Sequence, residues 1–558
     1  MTKTEGRSIL RIVLVWICTA ILFGANHTVA QGHEDWSRHL GIYEVNVRQY
    51  SADGTFAGFS EHLDRLERLG VGILWFMPIH PIGQLERLGS LGSYYSVRDH
   101  LAVNPEFGTL EEFRALVRDV HERGMYVIMD WVGNHTAWDH VLTTTQPEWF
   151  AKDVSGNFIP PPGTNWSDVI ELDYSKQGLR DYMIDAMKFW ALDVGVDGFR
   201  CDAVSFMPPD FWVHAINELR AAKPGLLMLA EADDPAWHDR GFDMTYGWGL
   251  YGFGGGVLKR IADGIDTASS ASVYAANEAM VYNSEAYRMY FTSNHDENSW
   301  HGTTRELFGD AAEVFAVLTS SFNGMPLVYS GQEAGLDRRL AFFDRDPIVW
   351  RDHPNSDLYE ALLRLKRDNR ALWNGRHGAP LERIFTSDNS NVFAFVREVD
   401  TDIVVVVVNL SDQPRGVTLS GTRTPGTYQD AFSGQNVTLD AGAAVNLDPW
   451  GYVVYHAGGS ATGLEGALGG QAGMSLSSPY PNPVRARARA AYSLRRASEV
   501  SVSVFDVLGR QVTVLASGTQ PAGTYEMSFD ATGLPSGVYF YRLETEDYVE
   551  TKRIVVVK

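Results

Sequence analysis

Asp202, Glu231 and Asp296 are acidic residues that close three separate apolar runs, and Arg200 stands two positions before the first of them. Residues two apart on an extended strand share a face, so Arg200 and Asp202 aim to one side while Cys201 faces the other. A guanidinium beside a carboxylate favours its ionised form. Glu231 ends the next apolar run, where it could serve as a proton donor. Hydrolysis of a glycosidic bond with retention needs two carboxyl groups roughly 5 Å apart, one charged and one protonated. Asp296 follows His295 within 293–298, a stretch of Ser, Asn and Asp that favours a turn and lets both side chains reach one place. Asp130, Asn134 and His135 gather at the end of a further run. Taken singly, an acidic residue at a strand end reads as a helix cap or a solvated loop group. Four such clusters at the same ends of four runs make that reading hard to sustain.

The runs belong to a longer rhythm. Segments 41–47, 71–77, 126–131, 196–202, 226–231, 242–246, 289–293 and 326–330 have strand length and composition, and amphipathic helical segments separate them. In 110–123, Phe113, Leu116, Val117 and Val120 form one apolar stripe, Thr109 and Glu112 form a capping box, and Gly124 ends the helix. Eight strand–helix units predict an α/β fold, a (β/α)8 barrel over 31–382, whose reactive groups collect at the carboxyl ends of the strands. Residues 136–172, rich in Trp, Pro and Asn, break the rhythm after the third strand and read as an inserted subdomain. Past 382 the helical pattern stops. Strand candidates 392–396, 403–410 and 452–456 predict a β-sandwich over 383–457, and 458–473 is a Gly/Ala-rich linker. A second β-rich, immunoglobulin-like module fills 474–558.

With these motifs in view, the chain resembles the α-amylase family of glycoside hydrolases. Residues 130–135 (Asp-Trp-Val-Gly-Asn-His), 195–202 (Gly-Val-Asp-Gly-Phe-Arg-Cys-Asp), the strand ending at Glu231, and 291–296 (Phe-Thr-Ser-Asn-His-Asp) match its four sequence regions in order and spacing. The segments 171–173 and 324–329 resemble its two accessory regions. The resemblance implies Asp202 as nucleophile, Glu231 as general acid/base and Asp296 as the supporting carboxylate that binds hydroxyls of the distorted sugar. It implies further that Arg200 holds the nucleophile, that Asp130 braces it, and that His135 and His295 contact the sugar next to the scissile bond. Tyr95 matches the aromatic that stacks on that sugar, with Tyr94 beside it as the competing register. The substrate implied is starch or a maltooligosaccharide. Glucan transfer, α-glucosidase or cyclomaltodextrinase-type action share the same regions, and a non-catalytic carbohydrate-binding protein would have to lack carboxylates that are present here. Ser205 and Phe206 depart from the Lys-His pair that many relatives carry after the nucleophile. Asn134 and Glu171 match calcium-ligand positions, so the resemblance implies Ca2+ there and no organic cofactor.

The last eighty-five residues or so resemble the C-terminal sorting domains of type IX secretion. That likeness rests on 479–483 (Pro-Tyr-Pro-Asn-Pro), 504–510 (Val-Phe-Asp-Val-Leu-Gly-Arg), 534–539 (Leu-Pro-Ser-Gly-Val-Tyr) and 554–558 (Ile-Val-Val-Val-Lys). It implies the secretion machinery as a partner and a secreted or cell-surface location. The other end agrees: Lys3, Arg7 and Arg11 precede the apolar run 12–23 and the small residues near Ala30, as in an export signal over 1–30. With that leader removed Cys201 is the remaining cysteine, so no internal disulfide forms. A formal charge of −22 with no long Lys/Arg cluster argues against nucleic acid as a partner. A neutral glucan and a monomeric protein are the expectation.

Overall fold

The computed structural model describes residues 36–252, 255–420, 425–458, 475–476, 484, 487–494, 497–507, 509–521, 523–545 and 548–558. The expected leader at 1–30 and, apart from Gly458, the expected linker lie outside these residues. Among the described residues no helix is long and apolar enough to cross a membrane.

Eight parallel strands close into a barrel: β1 (Ile42–Val45), β2 (Ile73–Phe76), β3 (Tyr126–Trp131), β4 (Gly198–Cys201), β5 (Leu227–Ala230), β6 (Met244–Tyr246), β7 (Tyr287–Phe291) and β8 (Met325–Tyr329). Closure comes from β1 pairing with both β2 and β8, Ile42 lying opposite Ile73 and Leu327. All eight overlap the segments expected from the apolar runs, the seventh lying two residues earlier than expected and the eighth one residue earlier. Their residues are buried almost throughout, since helices cover the outside and side chains fill the inside. The helix Leu110–Glu122 carries the expected capping box and buries Phe113, Leu116, Val117 and Val120; Gly124 follows at φ +77°. At Gly198 a Cβ would lie 2.2 Å from the Leu227 carbonyl oxygen, so only glycine lets β4 approach β5 this closely. That approach brings the ends of β4 and β5 side by side.

The inserted subdomain is pinned by a two-stranded antiparallel pair, His135–Ala137 with Val169–Glu171, in which His135 lies opposite Glu171. Beyond the barrel, the expected β-sandwich takes the form of one hydrogen-bonded antiparallel sheet of eight strands: β9 (Glu382–Thr386), β10 (Val392–Val399), β11 (Asp402–Asn409), β12 (Arg415–Ser420), β13 (Gly426–Asp430), β14 (Asn436–Leu439), β15 (Ala444–Leu447) and β16 (Tyr452–Ala457). Alternate residues of its central strands serve two cores. Phe393, Phe395, Val404, Val406 and Val408 join the barrel's core, whereas Val392, Ala394, Val405 and Val407 face the sheet's own. Double burial explains why 404–408 is an unbroken valine run.

The C-terminal module has a core to itself, built from residues such as Tyr492, Val502, Phe529, Tyr541 and Ile554. One sheet joins β17 (Ser475–Leu476), β18 (Arg487–Leu494) and β21 (Gly523–Asp530); the other joins β19 (Ser498–Asp506), β20 (Gln511–Gln520), β22 (Gly537–Glu544) and β23 (Val549–Val556).

Candidate active site

The carboxyl ends of β3, β4, β5 and β7 deliver Asp130, Arg200, Asp202, Glu231 and the His295-Asp296 pair to one mouth of the barrel. Arg200 is the hub. Its Nη1 donates to Asp130 Oδ1 and to Asp202 Oδ1, each at 2.9 Å, its Nη2 pairs with Glu231 Oε1 at 2.7 Å, and its Nε donates to the Tyr246 hydroxyl at 3.1 Å. The guanidinium is only 1% exposed. One buried cation therefore holds three carboxylates, and it cannot neutralise all of them.

Burial raises the acids by more than the guanidinium lowers them. Burial pushes Asp202 up to about 6, with Arg200 opposing the rise and Asp130 and Asp296 adding to it. Asp130 is also pushed up by burial to about 6, against the pull of Arg200. Glu231 rises furthest, to about 7, again chiefly by burial and then through the Asp202 and Asp296 charges. The upward shift at Glu231 is in the direction that a proton donor needs. The second oxygen of Glu231, Oε2, accepts the backbone N–H of Ala203 at 2.7 Å. Ala203 sits at φ +45°, ψ +41°, a left-handed conformation that a residue with a Cβ adopts at a cost. This twist after Asp202 turns the chain so that its N–H faces Glu231.

On the other side of the mouth Tyr95 and His295 stack, ring centroids 5.4 Å apart. The Tyr95 hydroxyl lies 3.0 Å from Asp130 Oδ2 and 2.7 Å from His295 Nε2. Tyr94 instead is buried in the wall, donating to Asn46 Oδ1 and lying under Arg48, so Tyr95 is the ring in the site. His295 Nδ1 meets Glu44 Oε1 at 2.5 Å. Burial alone would lower the His295 pKa, but the Asp296 and Glu44 carboxylates outweigh it and hold the ring up at about 9. His295 is thus an imidazolium at neutral pH. Asp296, whose side chain is 40% exposed, lies 3.3 Å from His295 Nε2 and reaches the solvent side. His135 is buried, hydrogen-bonded to the Tyr95 backbone and driven down to about 3 by burial and by His100, so it is a neutral ring.

Four participants escaped the sequence reading. Glu44 is a charged residue in the middle of the apolar strand Ile-Tyr-Glu-Val, a signal that was available. Tyr246 ends β6 and Trp75 lies within β2, where the Trp75 indole donates to Asp130 Oδ2 at 3.2 Å; both look like ordinary core aromatics in sequence. Ala203 gives no signal at all, since its role lies in its backbone.

Asn134 and Glu171 come together at the insert, but Glu171 stands across from His135, and the Asn134 carbonyl accepts from Leu172 N–H. Among the described residues no three His, Cys, Asp or Glu side chains form a metal-holding group.

A family model described as the catalytic domain of α-amylase matches residues 28–166, one for the C-terminal domain of maltogenic amylase matches 383–454, and one for a secretion-system C-terminal sorting domain matches 478–557. Among solved structures, an α-amylase from Lactobacillus plantarum is 30% identical with a TM-score of 0.67, covering 76% of this chain and 100% of its own. A maltogenic α-amylase from Thermotoga neapolitana is 28% identical with a TM-score of 0.68, covering 75% of this chain and 99% of its own. Alpha-amylase 2 of Dictyoglomus thermophilum is 24% identical over 449 residues, 72% of this chain and 74% of that protein.

Proposed function

The chain belongs to the α-amylase family of glycoside hydrolases, and we propose that it cleaves α-1,4-glucosidic bonds of starch or maltooligosaccharides with retention at the anomeric carbon. The observation that carries this reading is the shared guanidinium: Asp202 and Glu231 sit on neighbouring nitrogens of Arg200. Two carboxyl groups on one small planar group are held at the few-ångström separation that double displacement requires, roughly 5 Å.

In this reading Asp202 attacks the anomeric carbon while Glu231 gives its proton to the departing glycosidic oxygen. The C1–O bond to the leaving sugar breaks and an ester to Asp202 forms. Glu231, now a carboxylate, takes a proton from water as that water attacks C1, and Asp202 leaves as a carboxylate. Asp296, the His295 imidazolium and neutral His135 hold hydroxyls of the sugar, and Tyr95 offers it a ring face. Glu44 keeps His295 charged and fixes which nitrogen faces the sugar. Asp130 with Trp75 and Tyr95 holds Arg200 in place.

Calcium at the insert would start from Asn134 and Glu171. A Ca2+ shell takes six to eight oxygens, so backbone carbonyls and water would have to supply most of it, and no step above runs through a cation.

The likeness to a maltogenic α-amylase favours a second reading, in which the same site releases maltose units or opens cyclomaltodextrins. Products formed on soluble starch, pullulan and maltotriose separate the two. Rapid loss of iodine staining marks internal cleavage, and small sugars appearing with staining intact would sink it. Asp202→Asn should lower kcat by about 10^4-fold or more; a variant as active as the parent would overturn the nucleophile assignment.

The sorting domain indicates export to the surface or the medium. We further propose that an N-terminal signal, removed near Ala30, starts that route and that the protein works as a monomer.

A further inference from the structure

Arg288 is a charged residue inside the apolar strand β7, and it is only 2% exposed. A buried guanidinium needs acceptors for its N–H groups, and here three elements supply them. Its Nε donates to Glu278 Oε2 at 2.7 Å, on the helix Ala268–Val281; its Nη1 donates to the Thr245 hydroxyl of β6; its Nη2 donates to Asp233 Oδ1. The Tyr282 ring covers the guanidinium at 3.8 Å. The pairing with Glu278 directs Arg288 to the helical layer outside the barrel, so it reaches the site only through Asp233.

Asp233 stands two residues after Glu231. Besides Arg288, its Oδ1 accepts the Tyr282 hydroxyl at 3.0 Å and its Oδ2 accepts the Gly249 N–H at 3.0 Å. The next residue, Asp234, does the ordinary work of a turn and accepts the Ala236 N–H. Glu231 lies one position past the end of β5, and the segment is held there by the Glu231 N–H on the Cys201 carbonyl and the Tyr246 N–H on the Ala232 carbonyl. Asp233 fastens its far end. The Gly249 contact has a second consequence, because Gly249 belongs to the short helix Trp248–Tyr251. The Trp248 ring packs on Tyr246 with centroids 4.5 Å apart, and the Tyr246 hydroxyl accepts Arg200 Nε. One carboxylate therefore restrains both the backbone beside Glu231 and the support of the guanidinium that pairs with it.

We propose that Asp233, clasped by Arg288, Tyr282 and the Gly249 N–H, is a positioning residue for acid catalysis: it holds the segment carrying Glu231 so that the Glu231 proton meets the departing glycosidic oxygen. The proposal rests on the retaining hydrolase reading above. A displacement of about 1 Å at a proton donor costs up to about 100-fold in rate, although the displaced group still binds. Asp233 itself touches no reacting atom.

The test compares kcat/KM of the full chain on maltoheptaose, whose leaving oxygen needs a proton, and on α-maltosyl fluoride, whose fluoride departs with little help from an acid. This parameter covers only the steps up to loss of the leaving group, so the later role of Glu231 as a base does not enter. Asp233→Asn should lower the maltoheptaose value about 10- to 100-fold and the fluoride value less than about threefold. Tyr282→Phe, which keeps every charge, should show the same selectivity at about three- to tenfold, and it decides the matter if Asp233→Asn does not fold. Equal losses on both substrates would make the clasp an anchor of the fold alone, and no loss on either would make it idle; both results overturn the proposal. Glu231→Gln sets the scale. If that variant loses both substrates equally, or if the parent acts on neither, the hydrolase reading fails rather than the clasp.

Discussion

Burial sets the titration of the site: it raises Asp130, Asp202 and Glu231, and the Arg200 guanidinium paired with all three offsets only part of the rise. Asp202 must be ionised to attack and Glu231 must be protonated to donate. With Asp202 at about 6 and Glu231 at about 7, kcat/KM should follow a narrow bell, with its acid limb near 6 and its basic limb near 7. A flat profile from pH 5 to 9 would contradict the assignment of the two roles. The same shift bears on stability. Glu231 moves from an ordinary 4.5 to about 7 in the folded protein, so the stability tied to its proton is fully present below 4.5 and is lost as pH rises through 7. Glu231→Gln should therefore abolish hydrolysis yet raise Tm at pH 8, by an amount equivalent to about 1–3 kcal/mol, and the gain should vanish at pH 4. A Tm that falls at pH 8 would show that the lost Arg200 contact outweighs the relief.

At the scale of elements, the turn after β4 is the feature on which the two acids depend. Ala203 holds a left-handed backbone, and that conformation aims its N–H at Glu231. Ala203→Gly should be accommodated, since glycine adopts this conformation freely. Ala203→Val should cost about 1–3 kcal/mol of stability or shift the turn. In the second case the hydrogen bond to the Glu231 carboxylate is lost, its anion is less stabilised, and the basic limb of the pH profile moves up. An Ala203→Val enzyme with the parental Tm and basic limb would show that the turn does not matter. The β7 end works differently: Thr292, Ser293, Asn294 and His295 are all buried as the strand bends, and only then does Asp296 emerge toward solvent.

For the whole molecule, the distribution of cores says which parts stand together. Phe393, Phe395, Val404, Val406, Val408 and Val454 of the second sheet belong to the barrel's own core, whereas the C-terminal module packs around a separate one. A chain ending at Gly458 should fold and hydrolyse starch like the parent while failing to leave the cell. A chain ending at 382 would lose those side chains and uncover the barrel core residues packed against them, so it should be insoluble or inactive. Normal release of the first truncation would refute the sorting role, and a fully active second truncation would refute the shared core.

What the sequence determined by itself was periodic or local. The apolar runs marked all eight barrel strands, because a parallel strand covered on both faces has to be apolar along its length. Thr109 and Glu112 marked a helix start, and the acids at four strand ends marked the mouth. Tertiary structure alone decided how those acids interact. The hub role of Arg200, the support of His295 by Glu44 and the contact of Ala203 with Glu231 join residues 2 to 251 positions apart. Tertiary structure also decided that Tyr95 rather than Tyr94 enters the site, and that the strands after 382 form one continuous sheet sharing a core with the barrel. The physical reason is that burial and charge crowding depend on which surfaces meet in space, and neither composition nor spacing along the chain contains that information.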